Sequence, residues 1–205
     1  MGDLADRRVY IGPPAGAASA QIQTLIELAS GGLSGENGDY EGIRAPWSAA
    51  QQSFQDGQFD VYVGSVAVGS QALNELSLRR EIRILGVPDD VRGSDGWAEF
   101  LVNQAQFESV VPAGTHSGQV GGDVDLVTPA SAMMMSVTAD MDDDTAHALT
   151  RAYWENLEAM MSANALMQSI GPEKPFGGMS AVLHPGAVRY YDEAGIEVPA
   201  ELRPA

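Results

Sequence analysis

Few groups in this chain could do covalent or metal chemistry. His116, His147 and His184 are the only histidines, and there is no cysteine. The histidines lie far apart, with no HExxH helix, no paired ligand spacing and no Gly-x-Ser-x-Gly elbow, so neither a zinc hydrolase nor an α/β-hydrolase is signalled. The lack of cysteine removes disulfides, thiolate metal sites and a sulfur nucleophile. Thr115-His116-Ser117 sits in a Gly-rich stretch, so a Ser/His hydrolase is conceivable, yet no third residue is placed by spacing. Asp142-Asp143-Asp144 lacks the alternate spacing and closing Glu of a calcium loop and reads as a helix start. Asp89-Asp90 has the same explanation. No GxxxxGK[ST] or GxGxxG pattern follows the first strand, where Gly12-Pro13-Pro14-Ala15-Gly16 is too rich in proline. These absences favour a non-enzymatic protein with no metal and no cofactor.

Binding chemistry is better represented. Three stretches, 12–26, 61–74 and 109–122, carry no charged residue but contain Ser19, Ser65, Ser70, Thr115, Ser117 and Gln119 among small residues. Each follows or contains an expected strand. Loops at strand carboxyl ends feed helix N-termini, whose free amides attract anions when no carboxylate neutralises them. Small residues such as Gly16 and Gly69 let a ligand approach the backbone. A packing turn explains such loops equally well. Two further uncharged stretches, 126–139 and 175–188, read as buried.

These loops need a scaffold, and the apolar periodicity supplies one. Strands are expected at 8–11, 59–63, 82–87, 107–111, 123–127 and 132–137, with helices over 17–29, 47–55, 70–78, 95–104 and from Asp142 to Met160. A Gly/Pro loop over 171–178 leads to a last short helix, with Pro185 in its first turn and Gly195 past its end. Met133-Met134-Met135 and Met160-Met161 read as core packing rather than a partner surface. Alternating strands and helices with short connections predict an α/β fold, a mainly parallel sheet flanked by helices.

The chain has 205 residues and a formal net charge of −17. That length suits one full domain, or one and a piece. A polyanion of this kind does not bind nucleic acid through its bulk surface, since phosphate recognition needs clustered cations. Lys174 is the only lysine, the other cations being Arg, a bias that suggests a salt-adapted proteome. No stretch reads as a membrane span, and the start Met1-Gly2-Asp3-Leu4 has neither the basic nor the apolar region of a signal peptide.

The segment Leu183-His184-Pro185-Gly186-Ala187-Val188-Arg189-Tyr190-Tyr191-Asp192-Glu193-Ala194-Gly195 resembles the C-terminal LHPGAxRYYxExG motif of the TAXI family, the solute-binding receptors of TRAP transporters. Residues 9–14 resemble its VxVGPP strand and loop, residues 56–62 its DGxIDAFF segment, and residues 112–119 its PAGTYPGQ segment. Four motifs in family order span most of the chain. Departures occur where a site would sit. Ala15-Gly16-Ala17-Ala18 replaces Gly-Ser-Gly-Thr, Val66-Ala67-Val68-Gly69 replaces a Gly-x-Pro region, and His116-Ser117 replaces Tyr-Pro.

The resemblance implies a type II periplasmic-binding-protein-like fold and an incomplete two-lobed receptor. Residues 1–122 would be the ligand-binding second lobe. Residues 123–205 would be the return segment, hinge and C-terminal helices that pack on a first lobe. It also implies an extracytoplasmic, periplasmic protein that captures a small organic anion, such as a dicarboxylate or acidic amino acid, for the permease subunits of a TRAP transporter, without inserting into the membrane itself. On this reading the ligand-binding residues would be Pro14, Gly16, Ser19, Arg44, Tyr62, Ser65 and Gly69, with either Arg44 or an arginine of the first lobe as the carboxylate partner. The His184-Pro185-Gly186 step reads instead as the start of a helix. A stand-alone ligand-sensing α/β domain is the alternative, with a hydrolase built on His116 behind it.

Overall fold

The computed structural model describes residues 2–163, 167, 170–171 and 174–204. Part of the expected loop over 171–178 therefore falls outside the described residues. The chain divides into two compact units, Met1–Ala130 and Ser131–Ala205.

In the first unit, strand β1 (Arg8–Tyr10) runs parallel to β2 (Glu41–Ile43), pairing Arg8 with Glu41 and Tyr10 with Ile43. On the other side of β1, Val61 makes a parallel bridge to Val9, and Tyr10 N–H donates to the Val61 carbonyl at 2.9 Å. Three parallel segments therefore lie side by side with β1 in the centre. Alternate side chains of a strand point to opposite faces, and both faces of β1 are covered. Val9 and Ile11 join Leu4, Ile22, Ile26 and Tyr40 in one core cluster, while Tyr10 joins Ala50, Phe54, Phe59, Leu76 and Ile82 in another.

Helix α1 (Ala17–Ser30) turns Ile22 and Ile26 to the first cluster and stops at Gly31, whose φ of 79° supplies a left-handed cap. Helices α2 (Trp47–Gln55) and α3 (Gln71–Arg79) feed Phe54 and Leu76 to the second cluster. After the short α4 (Asp89–Arg92), Ser94 caps α5 (Asp95–Asn103) by accepting from the Trp97 N–H. Trp97 and Phe100 then form a third cluster with Val87.

The rest of the expected parallel sheet does not form as such. Strand β3 (Phe107–Val111) pairs antiparallel with β4 (Leu126–Ala130), because the glycine-rich return through positive-φ Gly114 and Gly121 reverses the chain. The segment expected as a strand over 82–87 contributes a bridge from Ile82 to Gln119 and a hydrogen bond from Val87 N–H to the Val127 carbonyl at 2.8 Å. Pairing with β3 keeps β4 in the first unit, which runs to Ala130.

The second unit is helical. Asp142 caps α6 (Asp143–Glu155), accepting from the Thr145 N–H at 2.9 Å. The helix expected to run on to Met160 breaks at Asn156, and α7 (Leu157–Ala163) follows. Helix α8 (Pro185–Glu193) packs closely on α6: a Cβ at Gly186 would stand 2.2 Å from the Asp143 carbonyl oxygen. His184 caps α8 by accepting the Gly186 N–H on Nδ1 at 3.1 Å, which leaves the proton on Nε2 for the Met141 carbonyl at 3.0 Å. Leu183, Val188, Tyr191, Val198 and Leu202 form this unit's core.

Residues 131–138 carry no regular secondary structure, so no alternation turns their side chains inward. Met133 and Met135 are 62% and 67% exposed, which corrects the core assignment expected for this triplet.

Candidate functional site

The carboxyl ends of the three parallel segments form one edge. Leaving β1, the chain makes a tight turn at Gly12, where φ is 96° and a Cβ would stand 3.3 Å from the Ser19 Cα. Only glycine suits both the dihedral and the close approach. The turn passes exposed Pro14 and reaches Gly16, the N-cap of α1, with φ of 104° and no side-chain cap. No acidic residue occupies the first turn of α1. Its leading amides thus keep their partial positive charge.

Arg44 follows β2 directly, at the same edge. It is exposed, and its Nη1 donates to the buried Ser19 Oγ at 2.5 Å. Ser19 Oγ also accepts from Gln23 Nε2 at 3.3 Å. Among the described residues Arg44 makes no ion pair, whereas Arg8, Arg83, Arg92, Arg151, Arg189 and Arg203 each face a carboxylate. Arg7, Arg79 and Arg80 likewise face no carboxylate among the described residues, so Arg44 is one of four unpaired arginines, and it is the one at this strand edge. Four of its five N–H donors have no partner among the described residues.

Tyr62 follows Val61, the third parallel segment. Its ring lies 5.8 Å from that of Tyr10, and Tyr10 lies 5.5 Å from Trp47. The Tyr10 hydroxyl donates to the Ala45 carbonyl at 2.9 Å, fixing the stretch between Arg44 and Trp47 against β1. Burial pushes the Tyr10 and Tyr62 phenols up, so both stay neutral. Ser65 and Gly69 are exposed on the loop that leads to α3, and no hydrogen bond joins them to Arg44 or Ser19 among the described residues. The structure therefore joins Ser19 to Arg44 directly, sets Gly16 and Pro14 in the adjoining turn, places Tyr62 at the neighbouring strand end, and leaves Ser65 and Gly69 unconnected to them.

Sequence reasoning passed over Trp47 and Tyr10. The signal for Trp47 was its place three residues after the unpaired Arg44, in a segment Arg44-Ala45-Pro46-Trp47 that otherwise carries no charge.

The opposite edge has the contrary character. At the start of β1, Arg8 is saturated by Asp60 and by the carbonyls of Gly57 and Gln58. An open depression of about 480 Å³ lies at the far, C-terminal end of α1, against α5, and is lined in part by Glu27, Glu99, Asn103 and Gln104. Its two carboxylates repel an anion.

His116 is 3% exposed, and its Nδ1 has no hydrogen-bond partner among the described residues. Burial pushes its pKa down, so the ring is neutral. Ser117 turns to Asn74 Oδ1 at 3.4 Å, and no hydroxyl hydrogen-bonds the His116 ring among the described residues. No group of three or more His, Cys, Asp or Glu that could hold a metal ion occurs among the described residues.

An exposed arginine at the carboxyl edge of parallel strands, beside an acid-free helix N-terminus, is an arrangement for holding a small anion. A profile of the NMT1-like family matches residues 1–195. The chain belongs to the NMT1-like family. This is a periplasmic-binding-protein-like family, related to TRAP and NMT1 binding proteins, and it makes the chain a ligand-binding protein of the periplasmic-binding class. Membership agrees with the mixed α/β architecture and suggests an extracytoplasmic location. No helix among the described residues is long and apolar enough to cross a membrane.

Proposed function

We propose that this NMT1-like chain is an extracytoplasmic solute-binding receptor of the TAXI type, which captures a small organic anion and delivers it to the permease subunits of a TRAP transporter. The observation that carries the anion is Arg44, unpaired and hydrogen-bonded to Ser19 in the first turn of α1. A carboxylate at this edge would take two parallel hydrogen bonds from the free guanidinium and further ones from the amides near Gly16. The four motifs in TAXI order support the receptor class, and the first unit supplies one wall of a site that a two-lobed receptor completes by closure. A single wall holds its ligand weakly, on the order of millimolar, because it buries little ligand surface. The role is non-enzymatic.

Ligand-observed saturation-transfer NMR with the full chain tests the assignment. Simple carboxylates such as acetate and succinate should show transfer that Arg44→Ala abolishes while the circular dichroism spectrum is unchanged. Transfer that survives Arg44→Ala would sink the site. A gene for a large membrane permease beside this one is the expected genetic context, and an unrelated neighbourhood would count against the TRAP role.

A further inference from the structure

With no cysteine in the chain, methionine is its only oxidisable sulfur. Among the described residues the solvent-exposed methionines are consecutive. Met133, Met134 and Met135 are 62%, 41% and 67% exposed, whereas Met141, Met160, Met161, Met167 and Met179 are half-buried. Met179 packs on the core that contains Tyr191.

The surroundings of the triplet tolerate a change of polarity. Residues 131–138 carry no regular secondary structure, and residues 132–137 make no hydrogen bond among the described residues. A sulfoxide formed there breaks no ladder, and its oxygen stays in water, so no unsatisfied acceptor is buried. The oxidant also matters. Hydrogen peroxide is uncharged at neutral pH, so a net charge of −17 does not hold it off as it would an anion.

We propose that Met133, Met134 and Met135 form a reversible oxidation site, each taking one oxygen atom from a peroxide while the half-buried methionines stay reduced. In each step the sulfur lone pair attacks one peroxide oxygen, and the S–O bond forms as the O–O bond breaks. The thioether loses two electrons to become the sulfoxide, while the departing hydroxide takes the proton from the transferred oxygen and leaves as water. Methionine sulfoxide reductases, one for each epimer, reverse the step. Oxidation thereby turns a contiguous exposed apolar patch into a polar one.

Treating the full chain with hydrogen peroxide at neutral pH, and following its proteolytic peptides by tandem mass spectrometry, gives a rate for each methionine. Sulfoxide should form at Met133, Met134 and Met135 about fivefold faster than at Met160, Met161 and Met179, and the rates should converge in concentrated urea. Chain oxidised only at the triplet should keep its circular dichroism spectrum and lose no more than about 2 °C of thermal midpoint. The two reductases together should return it to its starting mass. Replacing all three by leucine, a volume-conserving change, should remove the fast phase and leave the slow phase at Met160 and Met161 as it was. Equal rates at the triplet and at the half-buried methionines of the native chain overturn the proposal. So does a large loss of thermal stability when the triplet alone is oxidised, or a fast phase that survives in the leucine variant.

Discussion

Arg8 grips Asp60 with a double contact, Nε to Oδ2 at 3.1 Å and Nη2 to Oδ1 at 2.8 Å, and so ties the first residue of β1 to the segment that carries Val61. The Arg8 backbone N–H adds a third bond to Oδ2 at 3.0 Å. This pairing sets the third parallel segment in register with β1, upstream of the edge where Tyr62 emerges.

The same contact makes stability depend on pH in acid. The Arg8 hydrogen bonds lower the Asp60 pKa to about 2. Its value in the unfolded chain is about 3.9, so the stabilisation is complete above about pH 4 and is lost as the pH falls toward the folded value. Asp60→Asn should lower the urea midpoint at pH 5 and differ progressively less from the parent below pH 4. A difference that stays constant over that range would contradict the linkage.

His116 acts in the same direction in a higher window. Its folded pKa is depressed by burial, so the unfolded chain binds the proton first and stability falls as the pH drops below about 6.5. His116→Phe removes the titrating group while keeping a ring in the space. The parent should lose urea resistance between pH 7 and pH 5, and His116→Phe should lose measurably less. Parallel pH curves would rule out His116 as the source.

Gly186 lets α8 press on α6, and the space there is closed by backbone, which cannot rotate away. Gly186→Ala should therefore destabilise the second unit by about 2–3 kcal/mol, as overpacking does. Amide hydrogen exchange would localise the loss to α6 and α8. Unchanged protection in these helices would show that the interface yields more easily than its geometry implies.

Arg44 and Ser19 should separate binding from stability. Ser19 is buried and its hydroxyl holds both Arg44 and Gln23, so Ser19→Ala should cost about 1 kcal/mol of stability. Arg44 is exposed, and Arg44→Ala should shift the thermal midpoint by no more than about 2 °C, as surface substitutions generally do. Carboxylate binding should respond in the opposite order, more to Arg44→Ala than to Ser19→Ala. A large stability loss in Arg44→Ala would make its role structural.

Local signals in the sequence were readable where one residue fixes one backbone state. Gly31 ends α1, Asp142 begins α6 and Pro185 opens α8, each at the position its chemistry predicts. Pairing was not readable in this way. The apolar runs over 82–87 and 123–127 look the same whether their partners are parallel, antiparallel or a single bridge, because the partner is distant in sequence. The methionine triplet misled for a related reason: apolar side chains predict burial only once a ladder gives them an inner face. At the candidate site, the charge-free loops pointed to the carboxyl edge of the strands, yet the contact between Ser19 and Arg44 joins two separate segments and became visible only in three dimensions.

The partition of charge has a kinetic consequence. Acids outnumber cations 28 to 11, giving a net charge of −17, while the stretches 12–26 and 61–74 that leave the strand edge beside Arg44 carry none. An approaching anion is repelled at long range and attracted only within about one Debye length of the guanidinium, about 10 Å at 0.1 M salt. Added salt shields the repulsion first, since it acts over the greater distance. Ligand association should therefore speed up as ionic strength rises, the reverse of the usual behaviour of a charged receptor and its counter-charged ligand, so that brine itself opens the approach to the site.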